Sequence, residues 1–251
     1  MSEVTIRKSL YLATILENAG KHEEAMKYME EIAKSKKNDL SIEEINLLTI
    51  SFNNQITKKL NQIKILNKVI AKDELTNSKY LKTDTNIRDI IQRDINDICN
   101  KMINLCDNYL LNKTEKNETK ILYLKLRGQY YRYLSDVLEN EQQKDANKNA
   151  INSFNEAFEL IDNLSVTNPI RLGFILNYAI FQYEFLNDID TAIKITKENF
   201  EIGINQLEKV NDNNEYQNAS SIFMLLKQNI DMWNNEKEKE SQNQNQNQNQ
   251  S

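Results

Sequence analysis

The chain has 251 residues, a formal net charge of −5, 39% hydrophobic residues, one proline and four glycines. The acidic balance argues against a nucleic-acid binder, which needs clustered excess lysine and arginine. No apolar run approaches the roughly 18 residues of a membrane span. With so few helix breakers, most of the chain should be helical.

Apolar spacing near 3.6 residues predicts nine helices, at 3–18, 22–36, 42–73, 84–112, 117–138, 142–163, 169–186, 188–207 and 214–234. The N-terminus carries charges on both sides of a short apolar stretch and reads as the first helix rather than a signal peptide. Gly20 separates it from the second. Ser41 with Glu44 forms a capping box ahead of INLL. Cys99 and Cys106 lie seven apart on one helix, about 10 Å from each other, too far to bridge within it. They read as buried thiols of a reducing compartment. Asn168 followed by Pro169 is an N-cap with proline in the first turn. Gly128 and Gly173 fall inside helical patterns, where close packing should offset a cost of about 1 kcal/mol each. The stretch NAINSFNEAFELI has the spacing of a tetratricopeptide helix but does not recur as a repeat. Residues 1–234 read as one all-helical domain and 235–251 as a disordered, polar, Asn/Gln-rich tail.

Catalytic chemistry finds little support. The single histidine, His22, falls in a turn and reads as a surface residue. There is no Gly-rich phosphate loop, no metal-spaced Cys/His set and no nucleophile elbow, so no catalytic residue, metal or cofactor is expected. Polar residues beside large apolar ones say more. Leu126, Tyr130, Tyr133 and Val137 make one apolar wall of the 117–138 helix, and Lys125, Gln129 and Arg132 make the adjoining stripe. Asn177, Ile180 and Glu184, with Leu176 beside them, share a second helix face. Leu225, Asn229, Met232 and Trp233 make a third. Buried among apolar neighbours, an asparagine needs partners for both its donor and its acceptor. Singly, each face reads equally well as structural. Together with Arg132 they favour a peptide groove with an anion site.

The stretches LYLKLRGQYYRYLSD, TNPIRLGFILNYAIFQYEFLN and MLLKQNIDMW resemble three distinctive helices of the 14-3-3 family. SIEEINLLTISFNN and the DICN of RDINDICNKM are similar to two more of its segments. The resemblance runs in order from about residue 5 to 235. It implies an all-α fold of nine antiparallel helices forming a cup-shaped protomer that dimerises through its N-terminal helices. It also implies a groove for phosphoserine or phosphothreonine peptides, an adaptor role towards phosphorylated client proteins in signalling, and no enzymatic activity. Localisation would be cytoplasmic, extending to the nucleus.

Position by position, the resemblance implies that Arg132 and Tyr133 hold the phosphate. Lys125, Leu176, Asn177, Ile180, Glu184, Leu225, Asn229, Met232 and Trp233 would line the peptide groove. Ile15, Ala19, Lys21 and Asp94 would serve a dimer interface, as a homodimer or with a paralogue. Two departures stand out. The family's third helix normally adds a lysine and, seven residues on, an arginine; here those positions are Asn53 and Leu60. Lys64 remains one turn beyond, and Lys59 reaches the site only through a local register shift. Each charge-assisted hydrogen bond contributes roughly 1.5–3 kcal/mol. Losing two such partners weakens phosphate binding on the order of a hundredfold or more. The alternative readings are a scaffold for unphosphorylated peptides and a chain that acts mainly as a heterodimer partner.

Overall fold

The computed structural model describes residues 2–248, with side-chain environments through Lys239. The helices are α1 (Glu3–Asn18), α2 (His22–Ser35), α3 (Ile42–Leu75), α4 (Leu81–Leu105), α5 (Asn117–Ser135), α6 (Asn140–Phe158), α7 (Pro169–Glu184), α8 (Ile189–Ile204) and α9 (Asn213–Gln248). Among the described residues there is no strand, so the chain is all-α as expected. It packs as two compact units, residues 1–156 and 157–251, and the boundary falls within α6.

In the first unit each of α1 to α5 packs on its neighbour in sequence. The start of α3 is set by local chemistry: the Ser41 hydroxyl accepts from the Glu44 N–H, and the Glu44 carboxylate accepts from the Ser41 N–H at 2.7 Å. Ile45, Leu48, Phe52 and Ile56 follow at steps of three and four and are all buried. The predicted 84–112 helix is divided. After Leu105, residues Cys106–Leu110 form a π-helical turn, closed by the Leu111 N–H donating to the Cys106 carbonyl at 3.0 Å. Both cysteines are free and buried; burial pushes the Cys99 thiol up strongly and that of Cys106 to about 12. Gly128 on α5 is a true close approach, since a Cβ there would lie 2.9 Å from the Phe154 ring.

In the second unit α7, α8 and α9 pack against one another. Asn168 caps α7 as expected, its side-chain oxygen accepting from the N–H groups of Ile170 and Arg171. The buried Arg171 donates to the carbonyls of Ile161 and Leu164, both at 3.0 Å, and so ties a 3-10 turn (Ile161–Asn163) to α7. Packing does not explain Gly173, because nothing lies within 4 Å of a Cβ built there. The tight contact is at Gly203, where a Cβ would lie 2.5 Å from the Phe223 ring.

Composition assigns 235–251 to a disordered tail. The structure continues α9 through 235–248, and residues 249–251 lie outside the described residues. Two contacts hold the start of this extension. The Tyr183 hydroxyl donates to Glu236 at 2.7 Å, and Lys237 pairs with Asp190. The alternating glutamates and lysines that follow are good helix formers.

Candidate anion and peptide residues

In the first unit the candidate anion residues are organised around Tyr130 of α5. Its ring is fully buried and meets Phe52 of α3 and Tyr133 edge-on, at centroid distances of 6.1 and 5.5 Å. Its hydroxyl donates to the Asn53 side-chain oxygen at 3.1 Å. Asn53 therefore has a partner on α5, and its two N–H donors remain to be used. Tyr133, one turn on, is half-buried. Its hydroxyl accepts from the Gln129 amide at 2.6 Å, which leaves the hydroxyl proton to donate elsewhere.

Arg132 lays its guanidinium over the Tyr133 ring, 4.6 Å from the centroid. It forms no ion pair among the described residues. Its charge acts on Asp136: desolvation raises the Asp136 carboxyl, and the Arg132 charge opposes that rise. Lys125 is half-buried on the same helix and has no hydrogen bond or ion pair among the described residues. Desolvation lowers its ammonium below the usual lysine value. This stripe thus carries two cations without a carboxylate partner among the described residues.

The α3 candidates divide. Leu60 is half-buried and packs against the core of the first unit. Lys64 is exposed. Lys59 is not an anion ligand here, because its ammonium is committed to Asp94 of α4 at 2.5 Å. Lys59 and Leu60 point about 100° apart around the helix, so Lys59 is directed at α4.

In the second unit Leu176 and Ile180 are half-buried, and Asn177 and Glu184 are exposed on α7. The Asn177 amide donates to the Gly173 carbonyl of its own helix at 2.6 Å, so its oxygen is the group left for a ligand. On α9, Leu225 and Met232 are 46% and 50% exposed, with Asn229 half-buried between them. Trp233 does not join this face. It is 0% exposed, packed with Ala179 and Ala192, its ring 5.4 Å from that of Tyr183. Eight residues separate it from Leu225, which turns it about 80° off the exposed stripe and into the core. It is a core residue, not a groove residue.

Comparison with known proteins gives the constellation its setting. The family model described as 14-3-3 protein matches residues 12–234. The chain belongs to the 14-3-3 family. Among its relatives, 14-3-3-like protein A of Hordeum vulgare is 30% identical over 238 residues, covering 94% of this chain and 90% of the relative. The 14-3-3-like protein GF14 nu of Arabidopsis thaliana is 31% identical over 232 residues, covering 91% and 87%. The 14-3-3 protein 4 of Solanum lycopersicum is 30% identical over 239 residues, covering 94% and 92%.

In this 14-3-3 protein the expected interface residues Ile15, Ala19 and Lys21 are exposed. Ile15 shares one face of α1 with the exposed Val4 and Tyr11, at steps of seven and four. Asp94, expected at the dimer interface, is paired with Lys59 inside its own unit. His22, expected at the surface, is half-buried and held by the Glu17 carboxylate at 2.6 Å. Sequence reasoning named Gln129 only as part of a stripe. Its four-residue spacing to Tyr133 was the signal that it positions that hydroxyl. No helix among the described residues is long and apolar enough to cross a membrane.

Proposed function

We propose that this protein is a non-enzymatic adaptor that binds phosphoserine- or phosphothreonine-containing segments of client proteins. Membership of the 14-3-3 family supports the phosphopeptide-binding role. The observation that carries the finer reading is the pair of cations on α5. Arg132 and Lys125 lack a carboxylate partner among the described residues, and Tyr133 stands beside Arg132 with a hydroxyl proton to give.

A phosphate carrying about −1.5 to −2 charges takes a bidentate contact from Arg132, a hydrogen bond from Tyr133 and the charge of Lys125. Asn53 adds neutral N–H donors where a lysine is usual, and Leu60 adds an apolar wall where an arginine is usual. Asn177, Asn229, Leu176, Ile180, Leu225 and Met232 grip the peptide backbone and its apolar side chains, with Glu184 at the edge. Dimerisation through Ile15 and Ala19, and a cytoplasmic or nuclear location, complete the proposal.

The reduced cationic set supports a second reading, in which unphosphorylated acidic segments compete with phosphorylated ones. Calorimetric titration of matched phosphorylated and unphosphorylated peptides separates the two. The adaptor reading expects the phosphorylated peptide to bind tens of times more tightly, and equal affinities would overturn it.

A further inference from the structure

The end of the α3–α4 hairpin differs in charge from the rest of the molecule. Residues 64–82 hold five lysines (Lys64, Lys68, Lys72, Lys79 and Lys82) against Asp73 and Glu74. That leaves +3 in a chain whose formal net charge is −5. All five lysines are exposed.

The segment also exposes large apolar side chains: Ile65 at 63%, Val69 at 40%, Leu75 at 87% and Tyr80 at 59%. On α3, Lys64, Lys68, Lys72, Ile65, Val69 and Leu75 fall within a sector of about 140°, and Asp73 and Glu74 fall outside it. Asp73 turns instead towards α4, where desolvation and the Asp73 carboxyl together raise the Asp84 carboxyl. Residues 74–77 are all exposed, so Leu75 projects from the end of the hairpin. Lys79 places its ammonium 5.0 Å from the centre of the Tyr80 ring.

We propose that the α3–α4 hairpin end, through Lys68, Lys72, Lys79 and Lys82 and the apolar Leu75 and Tyr80, is a peripheral docking surface for anionic lipid bilayers. Lysines around a few apolar side chains, with Asp73 turned towards α4 and the exposed Glu74 outnumbered by the lysines, suit a negatively charged headgroup layer. The ammonium groups stay at headgroup level while Leu75 and the Tyr80 ring enter the interface. A protruding end offers a plane-facing contact rather than a cleft for a polypeptide. Such a surface brings the adaptor to membrane-associated clients without a spanning segment.

The test is co-sedimentation of the full chain with phosphatidylcholine vesicles and with phosphatidylcholine–phosphatidylserine vesicles, with oligomeric state followed by light scattering. Binding is expected to the mixed vesicles only and to weaken as salt rises. The combined substitution Lys68→Gln, Lys72→Gln and Lys79→Gln is expected to reduce it about a hundredfold. Leu75→Ser with Tyr80→Ser is expected to reduce it several-fold while keeping the salt dependence. Circular dichroism and phosphopeptide affinity are expected to stay unchanged in both variants, since none of these side chains belongs to the anion site. Failure of the wild type to bind mixed vesicles overturns the proposal, as does undiminished binding by the lysine variant. A change of oligomeric state in the lysine variant with unchanged vesicle binding assigns the surface to a second copy of the chain and also overturns it.

Discussion

The candidate residues of the two units are held in different ways. In the first, one contact between helices anchors the constellation and two contacts within α5 complete it. Tyr130 ties α5 to Asn53 on α3, and Gln129 and Arg132 lock onto the hydroxyl and the face of Tyr133. In the second, Leu225, Met232, Asn177 and Glu184 lie open, and the hydrogen bond of Asn177 is to its own helix. The difference is the one the proposed function calls for, with an anion held by the first set and variable peptide side chains met by the second. A compact anion rewards preorganised donors, because their ordering cost is met on folding. A variable peptide is better met by side chains that can adjust.

The comparison can be sharpened first at Leu60, the apolar α3 residue proposed to face the phosphate. Leu60→Arg is expected to strengthen phosphopeptide binding by roughly 1.5–3 kcal/mol, tens of times in affinity, with little change for the unphosphorylated peptide. Calorimetry on the peptide pair reads both. A gain shared equally by the two peptides would break the assignment of Leu60 to the phosphate side.

A smaller effect is expected from the open faces. Asn177→Ala and Asn229→Ala should each weaken phosphorylated and unphosphorylated peptides alike by about 1 kcal/mol, the contribution of an ordinary hydrogen bond. Fluorescence anisotropy suffices to measure it. A loss confined to the phosphorylated peptide would contradict the backbone-gripping role.

The smallest change near neutrality is a pH effect at Lys125. Desolvation lowers its pKa in the free protein, and a bound anion raises it again, so binding takes up a proton between those two values. Affinity for an anionic peptide should fall as pH rises through that window and be flat below it, where Lys125 is already charged. Lys125→Gln should remove the slope. Folding has the opposite sign: the unfolded chain holds the proton to higher pH, so this lysine contributes stability that grows as pH rises from its lowered folded-state value towards the ordinary lysine value.

Much of the fold was legible because its signals are local. The Ser41–Glu44 box and the Asn168–Pro169 cap are read within four residues, and the buried stripe of α3 within three turns. What was not legible depends on distant partners. Lys59 is directed away from Leu60 by helix geometry, but its partner Asp94 lies 35 residues on. Trp233 follows Met232 directly, and a rotation of about 100° separates an exposed side chain from a core one. The α9 extension past residue 234 depends on Asp190 and Tyr183, which composition cannot report. Gly173, read as a packing glycine, has no close neighbour that explains it.

The most direct test of the central claim is a double-mutant cycle between Arg132 and the phosphate, pairing Arg132→Ala with the unphosphorylated peptide. If the guanidinium over Tyr133 holds the phosphate, the substitution costs the phosphorylated peptide roughly 1.5–3 kcal/mol and the unphosphorylated one almost nothing, a coupling of similar size. A coupling near zero, with both peptides weakened equally or neither affected, would contradict it.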